Sequence, residues 1–374
     1  MDLLVRGTAT AMEHLFRRRD QPFLGRINNW TGRHAWSGTL VTHDPGFHLG
    51  RLFLLHRYTG DDRFLRWALA ILEPMLPALT EQPLPNAMAG SDIYYGLCWA
   101  ADITGEARWQ AAALAGARNL ARYAWVEPLR QCFIFPSART QVVDTAGFLL
   151  SLPWAAQQEP RLMGYWRAHH DAILALRMIR ADGSVFHMAQ LDEEGRLHYY
   201  TTAQGLLPTT TWSRAQAWAM HGFTTAYESS GEPRYLEAAL RLGDWWVGHQ
   251  GGDPVPIYDR ADEEGPKRPK DSCAAAMAAN TLVRLAEAAP HAAPRYRAAV
   301  EATVRELIHW YLSDAGVLLH GSWGFRREQV THGIAPRRLR FPQEDVMPYG
   351  NYFIVELLYR ELGCDMRPFR LAGS

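Results

Sequence analysis

Tyr58-Thr59-Gly60-Asp61-Asp62-Arg63-Phe64, followed by the apolar run 65–76, decides the fold because it recurs. Ile103-Thr104-Gly105-Glu106-Ala107-Arg108-Trp109 leads into a second run, 110–123, and Ser229-Ser230-Gly231-Glu232-Pro233-Arg234-Tyr235 into a third, 236–249. Weaker copies are Gln158-Glu159-Pro160-Arg161 and Ala293-Pro294-Arg295-Tyr296. In each full copy the glycine suits the left-handed residue that ends one helix. The acidic residue falls in the first turn of the next, where the helix dipole favours it, and an aromatic packs behind. Apolar residues recur at spacings of three and four in Ala68, Leu69, Leu72, Met75 and Leu76, and again in Leu236, Ala239 and Leu240. The repeated unit is a helical hairpin.

Strand-like alternation is scarce. It occurs in Ser184-Val185-Phe186-His187-Met188 and Val317-Leu318-Leu319-His320, which are expected to form small β-hairpins in loops. Loops are expected at 83–90, 200–210 and 251–269, the last polar and rich in Gly and Pro. Such hairpins stack as an open solenoid or close into a double ring. The copies are unevenly spaced and separated by long loops, which favours closure with one decorated end. The expectation is an all-α, (α/α)6 barrel forming a single domain over residues 1–374.

Composition excludes several functions. Lys plus Arg and Asp plus Glu are both 39, so no basic field exists to collect nucleic acid. The run Arg17-Arg18-Arg19 reads as a solvated helix end. Cys98, Cys132, Cys273 and Cys364 are scattered, without metal-ligand spacing or a disulfide framework, so reduced thiols are expected. Met1-Asp2-Leu3-Leu4-Val5-Arg6 does not read as a signal peptide, and no apolar run reaches membrane-spanning length. A cytoplasmic protein without membrane association, cofactor or metal is expected, as a monomer or homodimer. The 14 Trp and 15 Tyr fit a carbohydrate cleft and a large helical core equally well.

Thr211-Trp212-Ser213-Arg214-Ala215-Gln216-Ala217-Trp218 carries the strongest binding signal. It opens a helical pattern in which Trp212 and Gln216, and Arg214 and Trp218, are four apart and expected to share faces. Indole faces stack on sugar rings, while a guanidinium and a carboxamide hold hydroxyls or a carboxylate. Asp144, in the apolar Gln141-Val142-Val143-Asp144-Thr145-Ala146-Gly147-Phe148, is the leading catalytic candidate. It is either buried, with its proton affinity raised as a general acid requires, or the cap of a following helix. Asp92, in Gly90-Ser91-Asp92-Ile93, reads first as a helix cap and second as a carboxylate at the barrel mouth. His43-Asp44-Pro45-Gly46-Phe47-His48 is a turn or a polar corner of the cleft, with His43 as its binding candidate. Asp271 or Ser272 is expected to cap another helix, with the cleft rim as the alternative place for Asp271, and Gly350 is expected to bring the backbone of the last helix near a ligand.

These pieces together resemble the unsaturated glucuronyl hydrolases and the related unsaturated rhamnogalacturonyl hydrolases, over nearly the whole chain. Residues 212–218 are close to the first family's Trp-Ser/Thr-Arg-Gly-Gln-Ala-Trp. Val143-Asp144-Thr145 resembles its acid/base segment, and Asp271-Ser272-Cys273-Ala274 its Asp-Ser-Ser-Ala. The resemblance implies an (α/α)6 barrel that removes a terminal Δ4,5-unsaturated uronic acid from oligosaccharides left by a polysaccharide lyase. Asp144 would protonate C4 of the enol ether and help activate water, and Asp92 would be the second carboxylate. Trp212, Arg214, Gln216, Trp218 and Gln204 would help form the sugar pocket. This chain departs from the pattern at Ser91 and Ala203, where the families carry histidines, at Ala215 for Gly, and at Asn351 for Asp. His198, His43 and His48 are the candidates to compensate. Two other readings remain open: a lyase or sugar epimerase on the same barrel, and a non-catalytic sugar-binding relative.

Overall fold

The computed structural model describes residues 1–17, 26–28, 34–35, 44–261, 269–322 and 344–366. Among these the α-helices are α1 (Asp2–Arg17), α2 (Asp44–Thr59), α3 (Asp62–Leu72), α4 (Leu76–Thr80), α5 (Trp99–Thr104), α6 (Ala107–Ala124), α7 (Ser151–Ala155), α8 (Arg161–Ala175), α9 (Ser213–Ser230), α10 (Pro233–Gly248), α11 (Ser272–Ala288), α12 (Ala293–Glu306) and α13 (Pro348–Glu361). They form two concentric layers. The inner ring runs from α2 to a π-helix (Asp92–Cys98) continued by α5, then to a 3-10 turn (Val143–Gly147) with α7, then α9, α11 and α13, which closes on α2. Outside lie α1, α3 with α4, α6, α8, α10 and α12. This is the (α/α)6 barrel expected from the hairpins.

The sequence explains the layering. An inner helix has neighbours on every side, so it must be apolar or small all round. α11 (SCAAAMAANTLVRLAEA) is buried along almost its whole length. An outer helix needs only one apolar stripe, and α3 buries Phe64, Ala68, Ile71 and Leu72 while its other residues are exposed or only partly buried. The hairpin turns form with the glycines the repeat implies, but Asp61, Glu106 and Glu232 stand at the N-cap positions of α3, α6 and α10 rather than inside the first turn. Gly60, Gly105 and Gly231 have φ of 70, 66 and 68°. Nothing crowds their Cβ positions, so the left-handed backbone itself is what favours glycine there. Asp61 caps α3 by accepting from the Arg63 N–H at 2.9 Å.

Short antiparallel strands decorate the loops. β1 (Arg26–Asn28), β2 (His34–Ala35), β8 (Gly321–Ser322) and β9 (Glu344–Val346) form a sheet of order β2-β1-β9-β8. β3 (Trp125–Val126) pairs with β4 (Gln131–Cys132), and β5 (Thr140–Val142), β6 (Met188–Leu191) and β7 (Leu197–Thr201) form the third sheet. The two segments expected to be hairpins are reduced to single bridges, Ile179 to Val185 and Leu312 to Leu318, and regular pairing begins only at Met188. Asp44-Pro45-Gly46 does not form the expected turn. It is the first turn of α2, where proline at the second position loses no intrahelical bond.

The N-terminal turns of α2, α9, α11 and α13 meet at one end of the barrel. Phe47 lies 5.8 Å from Tyr349 and 6.0 Å from Trp218, ring centre to ring centre, and Arg214 pairs with Asp271. Toward the opposite end a cavity of about 320 Å³ is lined by Tyr95, His221, Glu228, Arg284, Tyr352 and Glu356. Two ion pairs line it, Arg284 with Glu228 and Arg360 with Glu356. No helix among the described residues is long and apolar enough to cross a membrane.

Candidate active site

Asp144 sits inside the 3-10 turn that follows β5, seven residues before α7 begins, and therefore does not cap that helix. Val142 and Val143 are buried on one side and Ala146 on the other, so the carboxyl group has little water near it. Its Oδ1 is buried without a hydrogen-bond partner among the described residues. Burial raises its pKa to about 7, against the lowering effects of the Arg214 guanidinium and of a bond from its own backbone. Near neutral pH the group is thus poised between acid and base, as a proton donor that must later accept one requires.

The nearest imidazole was not among the expected residues. His187 Nε2 is 3.9 Å from Asp144 Oδ2. On its other side, Nδ1 lies 2.9 Å from the Thr202 hydroxyl and accepts from the Ala203 N–H at 3.4 Å. That bond fixes the tautomer: Nδ1 is the acceptor and Nε2 carries the hydrogen that faces Asp144. Burial, and secondarily Arg214, lowers the His187 pKa to about 3, so the ring is neutral. The sequence signal for His187 was the alternation 184–188, which marks a strand but not a site. Of the residues expected to compensate for Ser91 and Ala203, His198 is exposed on β7, His48 lies on α2, and His43 is outside the described residues. Ser91 closes a local turn, donating to the Met88 carbonyl at 2.9 Å.

Trp212 does not share a helical face with Gln216. It is the residue before α9, with φ −62° and ψ 120°, and its indole turns back onto its neighbours. The Arg214 guanidinium lies 4.5 Å over the Trp212 ring centre, and His187 is 4.7 Å away, ring to ring. Arg214 is fully buried; it donates to the Asp271 carboxylate and to the Ser322 carbonyl, and it also lies 5.4 Å over the Tyr349 ring. Asp271 caps α11, accepting from the Ala274 N–H at 3.2 Å. Asp144, His187, Trp212, Arg214, Asp271 and Tyr349 therefore form one cluster.

Other expected residues are placed differently. Gln216 faces away from this cluster: its amide donates to the Gly183 and Leu242 carbonyls at 2.9 and 3.2 Å, fastening α9 to the outer layer. Trp218 forms a floor, packed between Phe148 at 4.9 Å and Phe47 at 6.0 Å. Gly147 permits that packing, because a Cβ there would stand 2.6 Å from the Trp218 ring. Asp92 is not a cap. It is the first residue of the π-helix, fully buried, and its Oδ1 accepts from the Gly46 N–H at 2.6 Å. Single-turn π segments often mark functional sites. Gln204 is half-buried in the loop between β7 and α9, two residues past Thr202. Asn351 bonds both ways with the Leu318 backbone, and Gly350 abuts Cys273, so these two join α13 to its neighbours rather than to a ligand.

No protein-family profile matches the chain. Curated sequences do. An unsaturated glucuronyl hydrolase of Bacillus sp. (strain GL1) is 26% identical over 341 residues, covering 84% of this chain and 85% of that protein. One from Formosa agariphila is 36% identical over 109 residues, covering 28% of this chain and 27% of its own length. Among solved structures, the Bacillus sp. GL1 unsaturated glucuronyl hydrolase superposes with a TM-score of 0.84 at 22% identity, covering 100% of this chain and 99% of that one, which shows the shared fold. Over most of its length the chain is thus similar in sequence to an unsaturated glucuronyl hydrolase, and it shares the helical-barrel fold of that enzyme's solved structure.

Proposed function

We propose that this protein removes a terminal Δ4,5-unsaturated uronic acid from small, lyase-generated oligosaccharides, with Asp144 as the proton donor. The observation that carries the reading is a buried carboxyl with a pKa near neutrality and an unpartnered oxygen, beside a neutral imidazole and a buried guanidinium. A direct glycosidase needs an acid aimed at the glycosidic oxygen and a second group at the anomeric carbon. An enol ether asks for less. The protonated Asp144 gives its proton to C4, and positive charge develops at C5 and the ring oxygen. Water adds at C5 and gives its proton to the carboxylate Asp144 has become, which restores the acid. The resulting hemiketal opens to a C5 ketone, and the hemiacetal this leaves at C1 expels the partner sugar.

The surrounding groups suit these steps. Neutral His187 presents an N–H without adding a full charge that would hold Asp144 ionised. The convergent N-termini of α9, α11 and α13 favour an anion such as the uronate carboxylate. Asp92, held by the Gly46 N–H, is the second carboxylate of the proposal, and Trp212, Trp218 and Gln204 belong to its sugar pocket. The four free cysteines suit a reducing compartment, and the cytoplasm is the proposed location.

Ultraviolet absorbance of the conjugated enol ether tests the reading directly. A hydrolase consumes the absorbance of an unsaturated disaccharide, a lyase acting on an intact polysaccharide creates it, and a binding protein changes neither. Absence of consumption across a panel of unsaturated uronides would refute the assignment.

A further inference from the structure

Asp271 lies at the start of α11, 127 positions along the chain from Asp144, yet the two are linked through one side chain. Arg214 reaches from the first turn of α9 to the Asp271 carboxylate, and both are buried. The guanidinium is clamped on three sides: by Asp271 and the Ser322 carbonyl at its edge, by Trp212 on one ring at 4.5 Å and by Tyr349 on another at 5.4 Å. It is also the charged group that bears on Asp144 and on His187. In a region shielded from water, the field of such a charge is felt over several ångströms, so its position and its compensation both matter.

We propose that Asp271 is a positioning residue for this reaction: it anchors Arg214 beside the acid and neutralises most of the guanidinium charge that Asp144 would otherwise feel. The proposal rests on the reading of Asp144 as the proton donor. An uncompensated guanidinium would favour the carboxylate form and leave Asp144 ionised at neutral pH. With the Asp271 counter-charge, the pair is nearly neutral at a distance and the acid keeps its proton. The groups that face this corner are His187 from the segment before β6, Arg214 from α9, Asp271 and Cys273 from α11, and Tyr349 from α13. His187 is neutral, and burial drives the Cys273 thiol upward, so Arg214 and Asp271 are the charges that decide the sign.

The test is the titration midpoint of Asp144, read by carboxyl carbon resonance in protein labelled at aspartate and assigned by its loss in Asp144→Asn. Asp271→Asn keeps an oxygen for the α11 cap but removes the counter-charge, and its midpoint is expected to fall by about one pH unit or more. Arg214→Gln removes the opposite charge, and its midpoint is expected to rise. Asp271→Glu restores the charge and should return the midpoint toward that of the parent. A purely structural Asp271 would lower stability or turnover without moving the midpoint. An unmoved midpoint in folded Asp271→Asn overturns the proposal; if that variant does not fold, an unmoved midpoint in Arg214→Gln does so. The resonance reports whether or not a uronide is turned over, so failure of the proposed activity is distinguishable, appearing as unchanged absorbance with an intact parent enzyme.

Discussion

His187 Nε2 stands 3.9 Å from Asp144 Oδ2, beyond hydrogen-bonding distance, and both side chains are buried. The pair is two neutral groups near pH 6, an acid and an imidazole whose hydrogen points at it. The gap suits groups that tighten onto a bound ligand.

With Asp144 as the proposed proton donor, turnover is expected to fall as pH rises through about 7, its folded-state pKa. Protonation of His187 cannot produce this limb, since its pKa is lowered to about 3. A pH profile of kcat/KM flat through pH 9 would separate Asp144 from the chemistry.

Replacing the acid tests the role more bluntly. Asp144→Asn should cost ~10²–10⁴-fold in kcat, the usual worth of a general acid. Binding of an unsaturated disaccharide, followed by calorimetry, should persist. Retention of near-normal turnover would rule Asp144 out.

The same substitution should stabilise the fold at alkaline pH. A carboxyl whose pKa is raised on folding binds its proton more tightly in the native state. Its stabilising contribution is complete below the unfolded value near 4 and is lost as pH rises to about 7. Above pH 7 the parent carries a buried, ionised carboxylate that Asp144→Asn lacks, a difference of up to ~4 kcal/mol. Thermal melts at pH 5 and pH 8.5 should show the variant gaining on the parent at the higher pH. Parallel melting curves would contradict the raised pKa.

His187→Ala should reduce turnover by about 10–100-fold, on the scale of losing a positioned polar partner. His187→Gln, whose amide can donate toward Asp144, should recover part of it. Equal rates in parent and His187→Ala would show that the ring is only packing against Trp212.

Gly147→Ala is a prediction about the floor of the site. The added methyl would meet the Trp218 ring at 2.6 Å, and Trp218 is itself wedged between Phe148 and Phe47. Overpacking of this kind typically costs ~1–3 kcal/mol. A chemical denaturation midpoint equal to the parent's would mean the indole moves aside freely.

The chain itself determined the barrel. A left-handed glycine, an acidic N-cap residue and an aromatic recur at the turns of three hairpins, and these are local devices that short stretches encode completely. The difference between inner helices, small and apolar all round, and outer ones with a single stripe is likewise written in composition, as α11 and α3 show. The burial of Asp144 was legible for the same reason, as a lone carboxylate in an apolar run. What tertiary structure decided was the direction and partnership of side chains. The helical spacing that joined Trp212 to Gln216 does not hold before α9 begins, so the indole stacks on Arg214 while Gln216 fastens α9 to the outer layer. Asp92 resembled a cap, but its acceptor is used by Gly46, 46 positions away. His187 and Asp271 reach the acid's surroundings only through contacts between segments far apart in the chain. Burial and electrostatic pairing depend on the closed ring as a whole, whereas helix starts and stops depend on a few consecutive residues.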